Sequence, residues 1–152
     1  MKRTHSFVIV IVAGAVLASC GVLDPDDGAR NDLVEARQRW DGQGIAAYEF
    51  VVMRSCYCIP EAIRPYRIRV MDGVIVDVRD AETGAAPLSS LTFRTIHGLF
   101  DLVEDAIEQE AYVLEVEYHQ QLGYPTHISI DYDRQTADEE QGFTVSAFVA
   151  ME

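Results

Sequence analysis

Hydrophobic positions recur at helical spacing in two segments of the chain, about residues 32–41 and 95–110. The apolar face of the first segment carries Leu33, Ala36 and Trp40. The apolar face of the second segment, which is the more regular, carries Ile96, Leu99, Phe100, Val103 and Ile107. Such stripes are typical of helices that pack one side against a core, so we predict two amphipathic helices. Asp32 and Glu35 approximate a capping box at the start of the first.

Alternation of apolar and polar residues marks most of the remaining chain and predicts β-strands. The predicted strands cover about residues 47–53, the two runs that flank Asp72-Gly73, and about residues 112–118, 126–132 and 142–149. The apolar positions of the first three strands, which we expect to face the core, are Tyr48, Phe50, Val52, Tyr66, Ile68, Val70, Val74, Val76 and Val78.

The register of the hairpin between the second and third strands follows from keeping its apolar residues on one face. A two-residue loop would place Ile68 opposite Asp77 and would mix the two faces. A three-residue loop, Met71-Asp72-Gly73, places Val70 opposite Val74 and keeps the apolar residues together. We therefore predict the three-residue loop.

The elements thus follow the order helix, three strands, helix, three strands. This order predicts an α+β fold, with an antiparallel β-sheet of about six strands and two helices packed on one face. A chain of 152 residues can bury one hydrophobic core, and we assign a single domain to residues 31–152. A domain of this kind needs no cofactor in order to fold.

The N-terminus has the pattern of a bacterial lipoprotein signal peptide. Two basic residues precede an apolar run, residues 7–17, that is too short to span a membrane. Leu17-Ala18-Ser19-Cys20 then matches the lipobox, in which the cysteine is lipidated and becomes the first residue after cleavage. We assign residues 1–19 to the signal peptide and residues 20–30 to the lipidated cysteine and an acidic tether. The alternatives, an uncleaved anchor helix or an ordinary signal peptide, explain fewer of these features.

This N-terminus also predicts where the protein resides. Several acyl chains on Cys20 give stable membrane anchoring, whereas a single chain gives only marginal binding. Gly21, rather than an aspartate, follows the cysteine. In a host with two membranes, that sorting pattern favours the outer membrane, with the domain facing the periplasm.

The charge of the chain excludes two classes of partner. Residues 1–19 hold two of the 12 basic residues and none of the 25 acidic ones, so the net charge of −13 becomes −15 after cleavage. Every basic residue that remains, histidines aside, is an arginine. A protein this acidic repels nucleic acid and anionic lipid headgroups, so we expect neither as a direct partner.

Cys56 and Cys58 are separated by one residue and are the two cysteines left once Cys20 is lipidated. In an exported protein this spacing favours a local structural disulfide in a tight loop. Two alternatives remain open. The pair is also compatible with thiol exchange, or with a soft-metal site that includes Met53 or Met71.

Two other polar groupings are weaker candidates. The acidic segment 131–140 offers carboxylates that suit calcium, but it lacks the glycine and spacing of an EF-hand loop, so a solvated hairpin tip is favoured. His119 and His127 lie on neighbouring predicted strands without a third ligand, which favours ordinary surface histidines over a zinc site. The sequence contains no catalytic triad order or phosphate-binding loop, and we assign no catalytic residue.

Several motifs together resemble a bacterial family, domain of unknown function 6174. They are Trp40, Tyr48-Glu-Phe50, Cys56-Tyr-Cys58, Val70-x-Asp72-Gly73, Thr95-Ile96…Leu99-Phe100-Asp101, and Tyr118…Gly123-Tyr124-Pro125…Ile130-Asp131. The resemblance spans about residues 35–148. Its members look like exported lipoproteins without an assigned activity, so it implies location and domain extent and carries no catalytic residues across.

The function expected from these features is that of a monomeric, non-catalytic envelope lipoprotein. It is anchored by Cys20 and binds an envelope protein or a cell-wall partner. The alternative is a thiol-redox or soft-metal-handling protein that acts through Cys56 and Cys58.

Overall fold

A computed structural model describes residues 25–136 and 138–151. Its helices are α1 (Pro25–Asp41) and α2 (Ile96–Glu108), and its strands are β1 (Ala47–Cys56), β2 (Pro65–Met71), β3 (Val74–Asp80), β4 (Val113–Tyr118), β5 (Pro125–Asp131) and β6 (Gln141–Ala150). A short 3₁₀ turn, Pro60–Ile63, lies between β1 and β2. The order helix, three strands, helix, three strands confirms the predicted α+β fold. Residues 1–19, predicted to be a signal peptide, and Cys20 lie outside the described residues.

The six strands form one antiparallel sheet in the order β3-β2-β1-β6-β5-β4. Cross-strand partners place the large apolar side chains of neighbouring strands on the same face: Phe50 lies opposite Ile68, and Val52 lies opposite Val145. Both helices contribute to the single buried cluster on this face. The opposite face carries charged pairs such as Arg69 with Glu49. The core therefore lies between the sheet and one layer of two helices.

Helix α2 agrees closely with its prediction. All five residues of the predicted stripe are buried, and Thr95 caps the helix by accepting a hydrogen bond from the backbone N–H of Gly98 at 3.1 Å. Among the described residues, neither helix is long and apolar enough to cross a membrane.

Helix α1 differs from its prediction at the N-terminal end. It begins at Pro25, so residues 25–30, which were predicted to belong to a tether, are helical. Asp32 consequently lies inside the helix, and the predicted capping box is wrong. Ala29 is partly buried and packs against the core, a contact that the extra turn of helix provides. Residues 25–30 therefore belong to the first helix and not to an extended tether.

The predicted three-residue hairpin loop is wrong. Met71 lies opposite Val74, which leaves a two-residue loop whose residues, Asp72 and Gly73, both have positive φ, as a type I′ turn requires. A β-bulge between β2 and β3 then restores the match of faces by placing Ile68 opposite Val78.

The bulge also changes which residues of β3 face the core. Val74 and Val76, predicted to be inward, are 62% and 51% exposed. Ile75 packs against the core in their place, and Val78 packs against it as predicted. The prediction for β3 is therefore correct at Val78 only.

Candidate functional site

Strand β1 continues three residues beyond its predicted end at Met53, and this extension builds the candidate site. Val52 and Arg54 line the same cleft on the helix side of the sheet. Arg54 stacks on the ring of Phe143, with its guanidinium carbon 5.2 Å from the ring centre. Strand β1 thus places an arginine after Val52 on its core side, instead of another apolar residue.

The cysteine pair closes the strand. The sulfur atoms of Cys56 and Cys58 lie 2.05 Å apart, at the distance of a disulfide bond, as predicted. The N–H of Cys58 also donates to the carbonyl oxygen of Cys56 at 2.9 Å. Tyr57 projects from this bend and is 82% exposed. The bend directs the chain into the 3₁₀ turn Pro60–Ile63 that leads back to β2.

A narrow cleft lies beside this loop and is hereafter called the arginine cleft. Its lining consists of Val52, Arg54, Ala62, Arg64, Tyr66, Leu91, Thr92, Phe93, Arg94, Leu99 and Phe143. The hydroxyl of Tyr66 donates to the carbonyl oxygen of Glu61 at 2.8 Å and fixes the 3₁₀ turn against β2. The interior space open to a water-sized sphere is about 20 Å³. The cleft is therefore an apolar slot with three arginines in its lining.

One of the three arginines, Arg64, is neutralised by a neighbour. Its Nη1 lies 3.0 Å from Oδ2 of Asp80, whose side chain is buried. The backbone N–H groups of Thr83 and Glu82 donate to the other carboxylate oxygen at 2.8 and 3.0 Å. These donors, that of Thr83 first, and the Arg64 guanidinium lower the pKa of Asp80 to about 2. Asp80 is therefore an anion at neutral pH.

The other two arginines of the cleft are not neutralised. Among the residues that the structure describes, ion pairs to carboxylates are formed by Arg37, Arg64, Arg67, Arg69 and Arg79. Arg54 donates instead to the carbonyl oxygen of Thr92 at 3.3 Å, and Arg94 forms no ion pair with any described carboxylate. Burial, together with the positive charge of Arg94, lowers the pKa of the Arg54 guanidinium. Arg54 and Arg94 line the same cleft, so their positive charges repel each other.

The structure separates one of the metal ligands considered above from the cysteines. Met71 pairs with Ala47 at the far end of β1, nine residues from Cys56, which corresponds to roughly 30 Å. A site that includes Met71 and both sulfur atoms is therefore excluded, and that prediction is wrong. Met53 is exposed on the last part of β1.

The two histidines contact different partners. His119 stacks on the ring of Tyr124 with 4.9 Å between the centres, and its Nδ1 accepts from the N–H of Leu122 at 3.1 Å. His127 lies near the hydroxyl of Thr144. Each histidine thus has a local structural contact of its own.

The acidic residues after β5 bind their own backbone. Asp131 accepts from the N–H of Asp133, and Asp133 accepts from the N–H of Gln135 and from the hydroxyl of Thr136. These bonds, that to Gln135 first, lower the pKa of Asp133. No group of three or more metal-binding side chains is found among the described residues.

The sequence did not single out Arg54 or Arg94. The signal for Arg54 was present, because it continues the alternation of Tyr48, Phe50 and Val52 by one more inward position. Arg94 lies in the long connection between β3 and α2, where no periodicity reveals the direction of a side chain.

A family model covers nearly the whole of this fold. It is described as a family of unknown function (DUF6174) and matches residues 32–150, from the middle of α1 to the end of β6. No curated protein and no solved structure shows a significant match. The family match confirms the resemblance found in the motifs, and the chain therefore belongs to the family of unknown function DUF6174.

Proposed function

We propose that this protein is a lipid-anchored protein of the bacterial envelope whose domain binds a partner, without catalysis, at the arginine cleft. The observation that carries the proposal is the pair Arg54 and Arg94, which line one cleft and form no ion pair with a carboxylate in the part of the chain that the structure describes. The guanidinium of Arg54 is partly buried, and a partly buried charge is unfavourable unless it is paired. An unpaired cationic pair beside an apolar slot is therefore typical of a site that an external anion completes.

The contents of the cleft favour binding over catalysis. Its lining offers guanidinium donors and apolar contact surface, and the hydroxyl of Tyr66 is already bonded to Glu61. Burial raises the pKa of Tyr66, which keeps that hydroxyl protonated. We accordingly assign no catalytic residue.

The anchoring part of the proposal rests on the N-terminal sequence. The apolar run of residues 7–17 and the lipobox Leu17-Ala18-Ser19-Cys20 support cleavage before Cys20 and lipidation of that residue. With α1 starting at Pro25, four residues separate Cys20 from the helix and span at most about 14 Å. The domain would then act close to its membrane, as a monomer, on an envelope protein or a cell-wall component.

The anchoring test uses full-length protein expressed in a bacterium. We expect the wild type to lose residues 1–19, to gain the mass of its acyl chains and to sediment with membranes. Cys20→Ser should block all three changes. Gly21→Ala, which leaves the lipobox intact, is the matched control. Cleavage and membrane association of Cys20→Ser would contradict the proposal.

The binding test places a photo-crosslinking residue at Thr92, which lines the arginine cleft, in cells. We expect an adduct that disappears with Arg94→Gln and persists with Arg134→Gln, because Arg134 lies over the ring of Tyr112 outside the cleft. A probe at Val34, exposed on α1, is the position control. Equal adducts from both positions, or none at Thr92, would contradict a binding site at the cleft.

A further inference from the structure

We infer that the arginine cleft recognises a monocarboxylate carried on a short apolar group. This chemistry occurs in free short-chain carboxylates and at the C-terminus of a peptide that ends in a small apolar residue. The inference rests on the proposed function of the cleft as a binding site, and it specifies the ligand.

The cationic side of the cleft determines the charge sign of the ligand. Arg54 uses one contact, to the carbonyl oxygen of Thr92, and a guanidinium has five N–H donors. Arg94 is exposed and has no carboxylate partner among the described residues. Guanidinium groups present parallel N–H donors that match the two oxygens of a carboxylate. The pair Arg54 and Arg94 therefore provides donors that a ligand carboxylate would satisfy.

The charges around the cleft favour a ligand with a single negative charge. Asp80 is ionised and paired with Arg64, so Arg64 adds little net positive charge to the lining. The protein as a whole carries −13, and its field opposes the approach of anions in proportion to their charge. A monocarboxylate is consequently favoured over inorganic phosphate, which is partly dianionic at neutral pH.

The floor of the cleft determines the remainder of the ligand. Val52, Leu99 and Phe143 form an apolar base beneath the arginines. The interior space of about 20 Å³ corresponds to one or two water-sized groups. The methyl or ethyl end of a short alkyl group fits such a slot, whereas a long acyl chain or an aromatic ring exceeds it.

The experiment titrates four probes into lipidated mature protein purified in a neutral detergent, followed by calorimetry and by NMR of the cleft residues. The probes are butyrate, its neutral analogue butyramide, N-acetyl-alanyl-alanine and inorganic phosphate. We expect saturable binding of butyrate or the peptide, with butyramide and phosphate at least about tenfold weaker. Arg94→Gln should weaken carboxylate binding about tenfold or more, and Arg134→Gln should change it less than about twofold.

The possible outcomes distinguish a wrong ligand assignment from a wrong assignment of the cleft as a binding site. Preference for butyrate indicates a free carboxylate, and preference for the peptide indicates a chain terminus. Phosphate binding that is tighter than carboxylate binding and is lost in Arg94→Gln overturns the inference and retains the cleft as a site. Absence of binding by every probe, with the Thr92 adduct present, also overturns the inference alone. Absence of both binding and adduct overturns the proposed function as well. Arg54→Gln provides a second variant of the cleft, and its thermal melt shows whether it is folded.

Discussion

The phenolic oxygen of Tyr48 accepts a hydrogen bond from the backbone N–H of Ile96 at 3.1 Å. Tyr48 belongs to β1 and Ile96 is the first residue of α2, so this bond fixes the start of the helix on the centre of the sheet. Both residues are buried, so the N–H of Ile96 would lose its partner in an environment closed to solvent. Burial accordingly raises the pKa of Tyr48.

Tyr48→Phe should therefore destabilise the domain although it removes a single oxygen atom. The substitution leaves the buried N–H of Ile96 without its acceptor, which costs about 1–3 kcal/mol of unfolding free energy. Tyr112→Phe is the matched control, because Tyr112 is exposed and should change stability by less than about 0.5 kcal/mol. Urea unfolding of the three proteins measures the difference. Equal stability of the two variants would show that the bond to Ile96 contributes nothing.

Phe100→Ala tests the face of α2 that packs on the sheet. The ring of Phe100 is fully buried and stacks on Tyr118 with 6.2 Å between the centres, and the guanidinium carbon of Arg37 lies 5.6 Å from its centre. We expect a loss of about 3–5 kcal/mol in unfolding free energy from the cavity that forms. Val34→Ala, on the exposed side of α1, should cost far less. An unchanged urea midpoint for Phe100→Ala would contradict this packing.

The burial of the α2 stripe was predictable because it depends on a local period. Residues spaced by three and four positions share a helix face whatever the rest of the chain does. The same holds for Tyr48, Phe50 and Val52 on β1, all of which are buried as expected. The burial of these residues could therefore be predicted without knowing which residues they contact.

The β2–β3 hairpin was mispredicted because alternation does not reveal a bulge. A single extra residue near Val76 reverses the facing of the residues before it, so Val74 is exposed and Ile75 packs inward. If the pairing is unbroken, only a three-residue loop keeps Val74, Val76 and Val78 on the core face, and this loop was therefore predicted. A two-residue type I′ turn followed by a bulge satisfies both the turn and the core.

The arginine cleft was beyond prediction for a different reason. Arg54 and Arg94 are 40 positions apart and meet because the connection after β3 returns across the end of β1. Neither periodicity nor a motif encodes that approach. Contacts between distant segments of irregular structure become visible only in the three-dimensional structure.

Gly123→Ala should be strongly destabilising. Gly123 has a φ of +87°, and a Cβ there would overlap the carbonyl oxygen of Ala36 and come within 2.9 Å of the nitrogen of Trp40. Gly84→Ala is the matched control, since Gly84 has a φ of +73° but nothing within 4 Å of its Cβ position. Both variants incur the left-handed backbone cost of about 1–2 kcal/mol, and Gly123→Ala should lose about 1–3 kcal/mol more from the clash with α1. Thermal melts that coincide would place α1 farther from Gly123.

Asp80→Asn should change the acid stability of the domain. The pKa of Asp80 falls from an ordinary value of 3.8 to about 2 in the fold, so the folded state favours its ionised form. The stabilisation is complete above about pH 4 and is lost as the pH falls towards 2. Wild type should therefore be more stable than Asp80→Asn at pH 6, and the two should converge near pH 2. Asp72→Asn, which removes a carboxylate from the exposed hairpin turn and keeps a favourable turn residue, is the matched control and is measured over the same pH range. Parallel curves for Asp80→Asn would contradict the shift.

The disulfide between Cys56 and Cys58 lies outside the hydrophobic core. The bond closes a bend between the end of β1 and the 3₁₀ turn, and Cys58 and Tyr57 are exposed. Neither cysteine belongs to the buried cluster. The core should therefore form without the bond.

Replacing Cys56 and Cys58 together with serine should cost on the order of 1–3 kcal/mol, the contribution of a very short closed loop, and should leave the protein folded. It should also weaken ligand binding at the arginine cleft, because Ala62 and Arg64 reach the cleft through the segment that the bond restrains. Single serine variants are unsuitable controls because each leaves a free thiol; Ser55→Ala serves instead.

Mature protein should contain no free thiol, and it should stay oxidised through a glutathione series and show no one-to-one binding of Cu(I). Ready reduction within that series, or stoichiometric copper binding by the reduced pair, would contradict a purely structural bond and favour a thiol-redox or soft-metal function at Cys56 and Cys58.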